Sequence, residues 1–104
     1  MIALNQELFS KLAQEEKPVL VDFWAPWCVY CRRIAPALEK LSEQQEKVLI
    51  GKVNIDEEPQ FAHQEQIEVI PTPILYKNGK ALGSIVAPES KAQIEEFIRR
   101  TLGE

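Results

Sequence analysis

A six-residue run at positions 19–24, with the sequence VLVDFW, constrains the fold of this chain more than any other segment. It is rich in β-branched and aromatic residues, which favour strands, and it lacks the polar and apolar alternation of a strand with one solvated face. A strand of this composition lies in the middle of a sheet that is covered on both faces. The sequence therefore predicts a layered domain built around this strand.

Segments that favour helices and strands alternate on both sides of the run, which predicts an α/β domain. Strands that alternate with helices indicate a parallel arrangement with helices on both faces of the sheet. Asn78-Gly79 is a two-residue hairpin turn, so the two strands that it joins are expected to be antiparallel. The predicted strands cover residues 2–4, 19–24, 48–55, 74–76 and 81–86, and the helices follow Asn5, Cys28, Asp56 and Ser90, the first of them ending near Glu16.

Length and charge narrow the possible functions. The chain has 104 residues, the size of one domain, and we assign residues 1–104 to a single unit. Its formal net charge is -4, and a surface of that sign repels phosphate backbones, which argues against nucleic-acid binding. No apolar stretch has the length of a membrane span, and the N-terminal residues lack the pattern of a secretory signal. We therefore expect a cytoplasmic protein that does not bind membranes.

Two cysteines, Cys28 and Cys31, lie where the central strand is followed by a helix. Sites in open α/β sheets lie beyond the carboxyl ends of the strands. In the first turn of a helix, unpaired backbone N–H groups and the helix dipole stabilise a thiolate, so Cys28 is expected to ionise readily. Cys31 follows on the same face of the helix, within reach of a mixed disulfide at Cys28. The spacing predicts Cys28 as the nucleophile of thiol-disulfide exchange and Cys31 as the resolving thiol.

Two other interpretations of the cysteine pair are half of a zinc site and two inert buried thiols. Zinc requires about four ligands. The chain offers one histidine, His63, which lies 32 residues beyond Cys31. We therefore expect no metal and no bound organic cofactor, and we expect the Cys28-Cys31 disulfide itself to carry the electrons.

In combination, six short motifs resemble those of the thioredoxin family. They are VDFWA at 21–25, WCVYC at 27–31, IAP at 34–36, KVNID at 52–56, IPT at 70–72 and KNG at 77–79. The resemblance extends from about Leu4 to the last residue of the sequence. It implies the thioredoxin fold, a mixed five-stranded sheet with a short first strand and four flanking helices. It also implies electron transfer from a reductase to protein disulfides.

The resemblance assigns roles to residues around the cysteines. It implies that Pro71 is a cis proline that faces them, whereas the residues alone favour an ordinary trans turn. The backbone of Ile70 would pair with an extended substrate segment as an added strand. Trp27, next to the cysteines, is expected to cover the thiols and to contact partners.

Asp22 is a carboxylic acid inside the apolar central run. Ionisation is costly in such surroundings, so this group should titrate at high pH and suit proton transfer near neutrality. The resemblance implies that Asp22 accepts the proton of the resolving thiol through water, with Lys52 as its electrostatic partner. The alternative is a solvated aspartate at a strand edge with a surface lysine.

The chain departs from the family pattern in two places. Val29-Tyr30 replaces the usual Gly-Pro between the cysteines, and Tyr30 has a backbone N–H that a proline lacks. We expect this N–H to donate to the Cys28 thiolate and to make the reduction potential less reducing by tens of millivolts. Ala87 stands where the family usually has glycine beside the substrate groove, and Val29 and Tyr30 enlarge the apolar rim of that groove.

Three functions are compatible with these residues. The leading hypothesis is a cytoplasmic oxidoreductase of electron transport and redox homeostasis, which reduces protein disulfides through a mixed disulfide and is recycled by a thioredoxin reductase. The same site could instead act as a disulfide isomerase or mild oxidant, which its equilibrium potential would distinguish. A third hypothesis is a binding module, in which the surface around Trp27, Ile70 and Pro71 holds a partner without turnover.

Overall fold

The run at 19–24 forms the central strand of a five-stranded sheet in the computed structural model, which describes residues 1–104. The strand order is β1-β3-β2-β4-β5; β3 runs parallel to β1 and β2, and β4 runs antiparallel to β2 and β5. The predicted order of elements is confirmed. The elements are β1 (Ile2–Ala3), α1 (Gln6–Leu12), β2 (Val19–Trp24), α2 (Val29–Gln44), β3 (Leu49–Asn54), α3 (Pro59–Gln64), β4 (Thr72–Lys77), β5 (Lys80–Ser84) and α4 (Lys91–Leu102).

Successive side chains of β2 enter two different cores because they point to opposite faces of the sheet. Val21 packs in a cluster that includes Phe61 of α3, whereas Leu20 packs in a second cluster with Leu38 of α2 and Ile94 of α4. Both faces of the strand are thus covered, as its lack of polar alternation predicted.

The residues predicted to cap the helices and to form the hairpin turn make the expected local contacts. The Asn5 side chain accepts a hydrogen bond of 2.7 Å from the Leu8 N–H and caps α1. The Ser90 hydroxyl caps α4 by accepting from the Gln93 N–H at 3.1 Å. The Asn78-Gly79 hairpin turn has a positive φ at both residues, 54° and 78°, as tight hairpins require. None of the four helices combines the length and the apolar character needed to cross a bilayer.

Several predicted boundaries were wrong by one to four residues, including those of β1 and β3, which are both shorter than predicted. Helix α1 ends at Leu12 rather than near Glu16, because the exposed polar residues that follow offer no apolar face to pack. Strand β4 begins at Thr72 rather than at Ile74, with Pro73 in register with Asp22 of β2. Strand β5 covers Lys80–Ser84 rather than residues 81–86.

Candidate redox site

The two cysteines lie at the N-terminus of α2 and are joined by a disulfide, with Cα atoms 5.2 Å apart. Cys28 is the N-cap residue, and its Sγ accepts a hydrogen bond of 3.1 Å from the Cys31 N–H. Cys28 exposes 8% of its surface and Cys31 only 2%. The outer sulfur is therefore the one that a second molecule can reach, while the inner one is positioned behind it.

One backbone N–H donates to the sulfur of Cys28 in the disulfide form. We expected the Tyr30 N–H to provide this hydrogen bond, but in this disulfide form it comes from Cys31. An N-cap side chain accepts from the second or third amide of the helix, and here the geometry selects the third. The predicted rise in reduction potential concerns the Cys28 thiolate and stays a prediction.

The loop that follows α3 lies beside Cys28. The Ile70-Pro71 peptide bond is cis, as the family resemblance implied, and Pro71 is buried. The carbonyl oxygen of Ile70 lies 3.8 Å from the Sγ of Cys28. The Ala87 N–H donates to the Pro71 carbonyl over 2.8 Å, and Ala87 has a left-handed φ of 47°. The backbone of Ile70 thus lies beside the reactive sulfur.

Trp27 precedes Cys28 in the sequence, and 64% of its area is exposed. Its indole N–H donates to both carboxylate oxygens of Asp56, at 3.2 and 3.0 Å. Sequence reasoning had not assigned Asp56 to the site. The available signal was its position just after β3, at the same edge of the sheet where the cysteines follow β2.

Asp22 is 3% exposed and lies on the sheet face that α2 covers, since it shares this face with Leu20. Burial raises its pKa from 3.8 to about 7, and the positive charge of Lys52 works in the opposite direction. Lys52 is in register with Asp22 on β3, and its ammonium lies 5.1 Å from the centre of the Trp24 ring. Asp22 Oδ1 has no hydrogen-bond partner. The solvated alternative is therefore wrong for Asp22.

The remaining predicted residues line the rim. Val29 and Tyr30 are exposed in the first turn of α2, next to Cys28. Trp24, Ile55 and Ile70 pack against the small buried cluster formed by Ala25 and the two cysteines. The fold does not bring three His, Cys, Asp or Glu side chains together in a group that could hold a metal ion.

The comparisons with known proteins agree with this geometry. A family model described as thioredoxin matches residues 1–100. A thioredoxin of Alicyclobacillus acidocaldarius is 42% identical over 95 residues, which cover 90% of each chain. A bifunctional thioredoxin reductase/thioredoxin of Mycobacterium leprae is 40% identical over 91 residues, which are 86% of this chain and 20% of that one. The solved structure of a Plasmodium falciparum thioredoxin is 30% identical and has a TM-score of 0.88, over 96% of this chain and 98% of that one.

The chain therefore belongs to the thioredoxin family. Its cysteine pair is a redox-active disulfide, which makes the protein a thiol-disulfide oxidoreductase of the protein-disulfide reductase type. The disulfide carries the electrons, and the family uses no separate cofactor.

Proposed function

We propose that this protein reduces disulfides in other proteins by an exchange in which Cys28 attacks and Cys31 resolves. The Cys28 thiolate attacks one sulfur of the substrate disulfide and releases the other as a thiolate. The Cys31 thiolate then attacks Cys28 Sγ and releases the second substrate sulfur, so that two electrons pass to the substrate. The observation that carries this assignment is the position of Cys28 as the N-cap of α2, more exposed than Cys31 and hydrogen bonded by an amide.

Asp22 is the proposed acceptor of the Cys31 proton. Both groups lie in the layer between β2 and α2, and a carboxyl with a pKa of about 7 is balanced between its two protonation states near neutrality. Lys52 keeps this pKa from rising further. Proton transfer at this position forms the Cys31 thiolate when the mixed disulfide is ready for it.

The proposed substrate contacts surround Cys28. An extended segment of the substrate pairs with the backbone of Ile70 beside cis Pro71, and Ala87 borders the same groove. Trp27, Val29 and Tyr30 provide an exposed apolar rim on α2 and the turn before it. Since one relative joins a thioredoxin reductase and a thioredoxin in one chain, we propose that a reductase of this class returns the electrons. A cytoplasmic location stays a prediction.

Trapping with Cys31→Ser tests the two cysteine roles. This variant is expected to accumulate mixed disulfides at Cys28, which dithiothreitol releases, when it is incubated with disulfide-containing proteins such as insulin. The matched Cys28→Ser variant should accumulate none. Trapping by Cys28→Ser, or equal trapping by both variants, contradicts the assignment. If Cys28→Ser instead keeps full function, the protein acts as a binding module.

The direction of electron flow is tested separately. A reductase is expected to have a potential low enough to reduce insulin catalytically when a thioredoxin reductase supplies electrons. A protein that equilibrates with a glutathione buffer as mostly dithiol and does not turn over insulin is instead an isomerase or a mild oxidant.

A further inference from the structure

A hydrogen bond between two side chains lies at the base of the loop that places Ile70 beside Cys28. The Tyr76 hydroxyl of β4 donates to the carboxylate of Glu65, the C-cap residue of α3. Tyr76 and Glu65 are 11 residues apart, and the chain between them contains the Ile70 loop, which we define as residues 66–71. The bond therefore closes a ring of chain that includes the backbone next to the reactive sulfur.

Tyr76 is held firmly by the core, so it is a rigid anchor for this ring. It exposes 2% of its surface, and its ring packs edge-on against Phe9, with the ring centres 4.7 Å apart. A buried phenol hydroxyl needs a hydrogen-bond partner, which here is the Glu65 carboxylate. Burial, together with the hydrogen bond and the negative charge of Glu65, raises the pKa of Tyr76 far above its ordinary value. The hydroxyl therefore stays protonated and remains a donor.

Glu65 passes the constraint on to the loop, because the chain reverses direction directly after it. Gln66 has a left-handed φ of 58°, and the Ile67 N–H donates to the Ala62 carbonyl over 3.0 Å. The start of the Ile70 loop is thus tied to the end of α3. A displacement of Glu65 from Tyr76 therefore moves the start of the loop with it.

The middle of the loop has little support from packing. Val69 exposes 52% of its surface, and a groove of about 210 Å³ lies between the loop and the end of β5, where Ser84 and Val86 line its other wall. At the far end of the loop, the Thr72 hydroxyl donates to the Val69 carbonyl. Hydrogen bonds at the two ends of the loop, rather than buried contacts in its middle, therefore set the position of the Ile70 backbone.

We propose that Tyr76 and Glu65 are positioning residues, which hold the Ile70 loop in the conformation that pairs with an extended polypeptide substrate. This inference rests on the proposed function, because it requires that the substrate backbone pairs with Ile70 beside Cys28. Without the hydrogen bond the loop adopts other positions, and the substrate has to restore the competent one when it binds. Polypeptide disulfides therefore react more slowly, whereas a disulfide too small to pair with the backbone does not.

The test compares Tyr76→Phe with the wild type on two disulfides, each mixed with the reduced protein. Tyr76→Phe keeps the buried ring and removes only the donor. Its second-order rate constant with insulin, a polypeptide, is expected to be about tenfold lower, which corresponds to about 1.4 kcal/mol and is the size of one hydrogen bond to a charged group. Its rate constant with bis(2-hydroxyethyl) disulfide is expected to equal that of the wild type. An equal fall with both disulfides, or no fall with insulin, overturns the proposal.

Variants of Glu65 separate the hydrogen bond from the charge. Glu65→Ala removes the acceptor and should slow the insulin reaction as much as Tyr76→Phe, and the double variant should be no slower than either, because all three break one bond. Glu65→Gln keeps an acceptor oxygen for the Tyr76 hydroxyl and should retain most of the rate. The matched control is Glu68→Ala, which removes an exposed carboxylate of the same loop. An equal loss in this control, or additive losses in the double variant, overturns the proposal.

Hydrogen exchange of the backbone amides provides a second readout, which does not depend on activity. In Tyr76→Phe the amides of the Ile70 loop should exchange faster than in the wild type, whereas those of α2 and α4 should keep their wild-type rates. Unchanged exchange in the loop contradicts the positioning role. Faster exchange throughout the protein contradicts it too, because it shows a general loss of stability.

Insulin reduction by the wild type separates this inference from the proposed function. If the wild type reduces insulin and Tyr76→Phe does so equally well, the positioning role fails and the proposed function stands. If the wild type does not reduce insulin, the proposed function itself fails, and the positioning role fails with it.

Discussion

Replacing Asp22 with asparagine should change the pH dependence of stability by an amount that follows from its burial. Asp22 is 3% exposed, and this burial raises its pKa from 3.8 to about 7 despite the opposing charge of Lys52. The folded protein therefore keeps the carboxyl protonated over a pH range in which the unfolded chain has it ionised. Asparagine has nearly the same shape and does not ionise, so Asp22→Asn removes this difference alone.

The sign and the size of this pH effect on stability follow from proton linkage. Below about pH 4 the carboxyl is neutral in the folded and the unfolded state, so its burial does not lower the free energy of unfolding through ionisation. Between about pH 4 and pH 7 the folded state binds one more proton than the unfolded state, so the free energy of unfolding falls by about 1.4 kcal/mol per pH unit. The loss is complete above about pH 7 and amounts to about 4 kcal/mol. The free energy of unfolding of Asp22→Asn, relative to that of the wild type, should therefore increase by about 4 kcal/mol between about pH 4 and pH 8.

Urea unfolding of the oxidised proteins measures this difference, since the disulfide prevents the cysteines from titrating. The free energies of unfolding of the wild type and of Asp22→Asn are compared at several pH values between about 4 and 8. The exposed carboxylate variant Glu57→Gln serves as the control and should show no such trend. A difference between wild type and Asp22→Asn that stays constant across the series would refute the reasoning.

Three further predictions use the same unfolding assay. Lys52→Met removes the charge that lowers the Asp22 pKa. The stability gained by adding Asp22→Asn to Lys52→Met should therefore keep increasing up to a higher pH than the stability gained by adding it to the wild type, and an unchanged pH refutes the role of Lys52. Ala87→Gly relieves a left-handed φ of 47° and should stabilise the protein by up to about 1 kcal/mol, whereas a loss of stability contradicts the expected strain. Asn5→Ala removes the cap of α1 and should cost about 1 kcal/mol, and no change would show that the cap is energetically neutral.

The parts of the fold that could be predicted from the sequence are those with short-range causes. The run at 19–24 became β2 at the predicted bounds, because its composition fits only a strand covered on both faces. The caps Asn5 and Ser90 act on amides three residues away, and the hairpin turn closes within two residues. The cysteine pair was located correctly for the same reason, since strand, turn and helix are contiguous there.

The parts that could not be predicted depend on residues distant in the chain. The partner of the Trp27 indole is Asp56, 29 residues away, and only the register of β2 and β3 brings them together. The conformation of Ala87 is also set at a distance, because its N–H bonds to Pro71. The cis state of Pro71 was implied by the family resemblance and not by the residues.

The most direct test of the central claim is the rate at which each cysteine of the reduced protein is alkylated. Iodoacetamide is added over a range of pH, and mass spectrometry locates the adduct on Cys28 or Cys31. Modification of Cys28 is expected first, with a pH midpoint below about 8.5, the ordinary value for a cysteine, while the more buried Cys31 reacts much later. Equal rates at the two sulfurs, or a Cys28 midpoint at or above about 8.5, would contradict the assignment of Cys28 as the attacking thiolate.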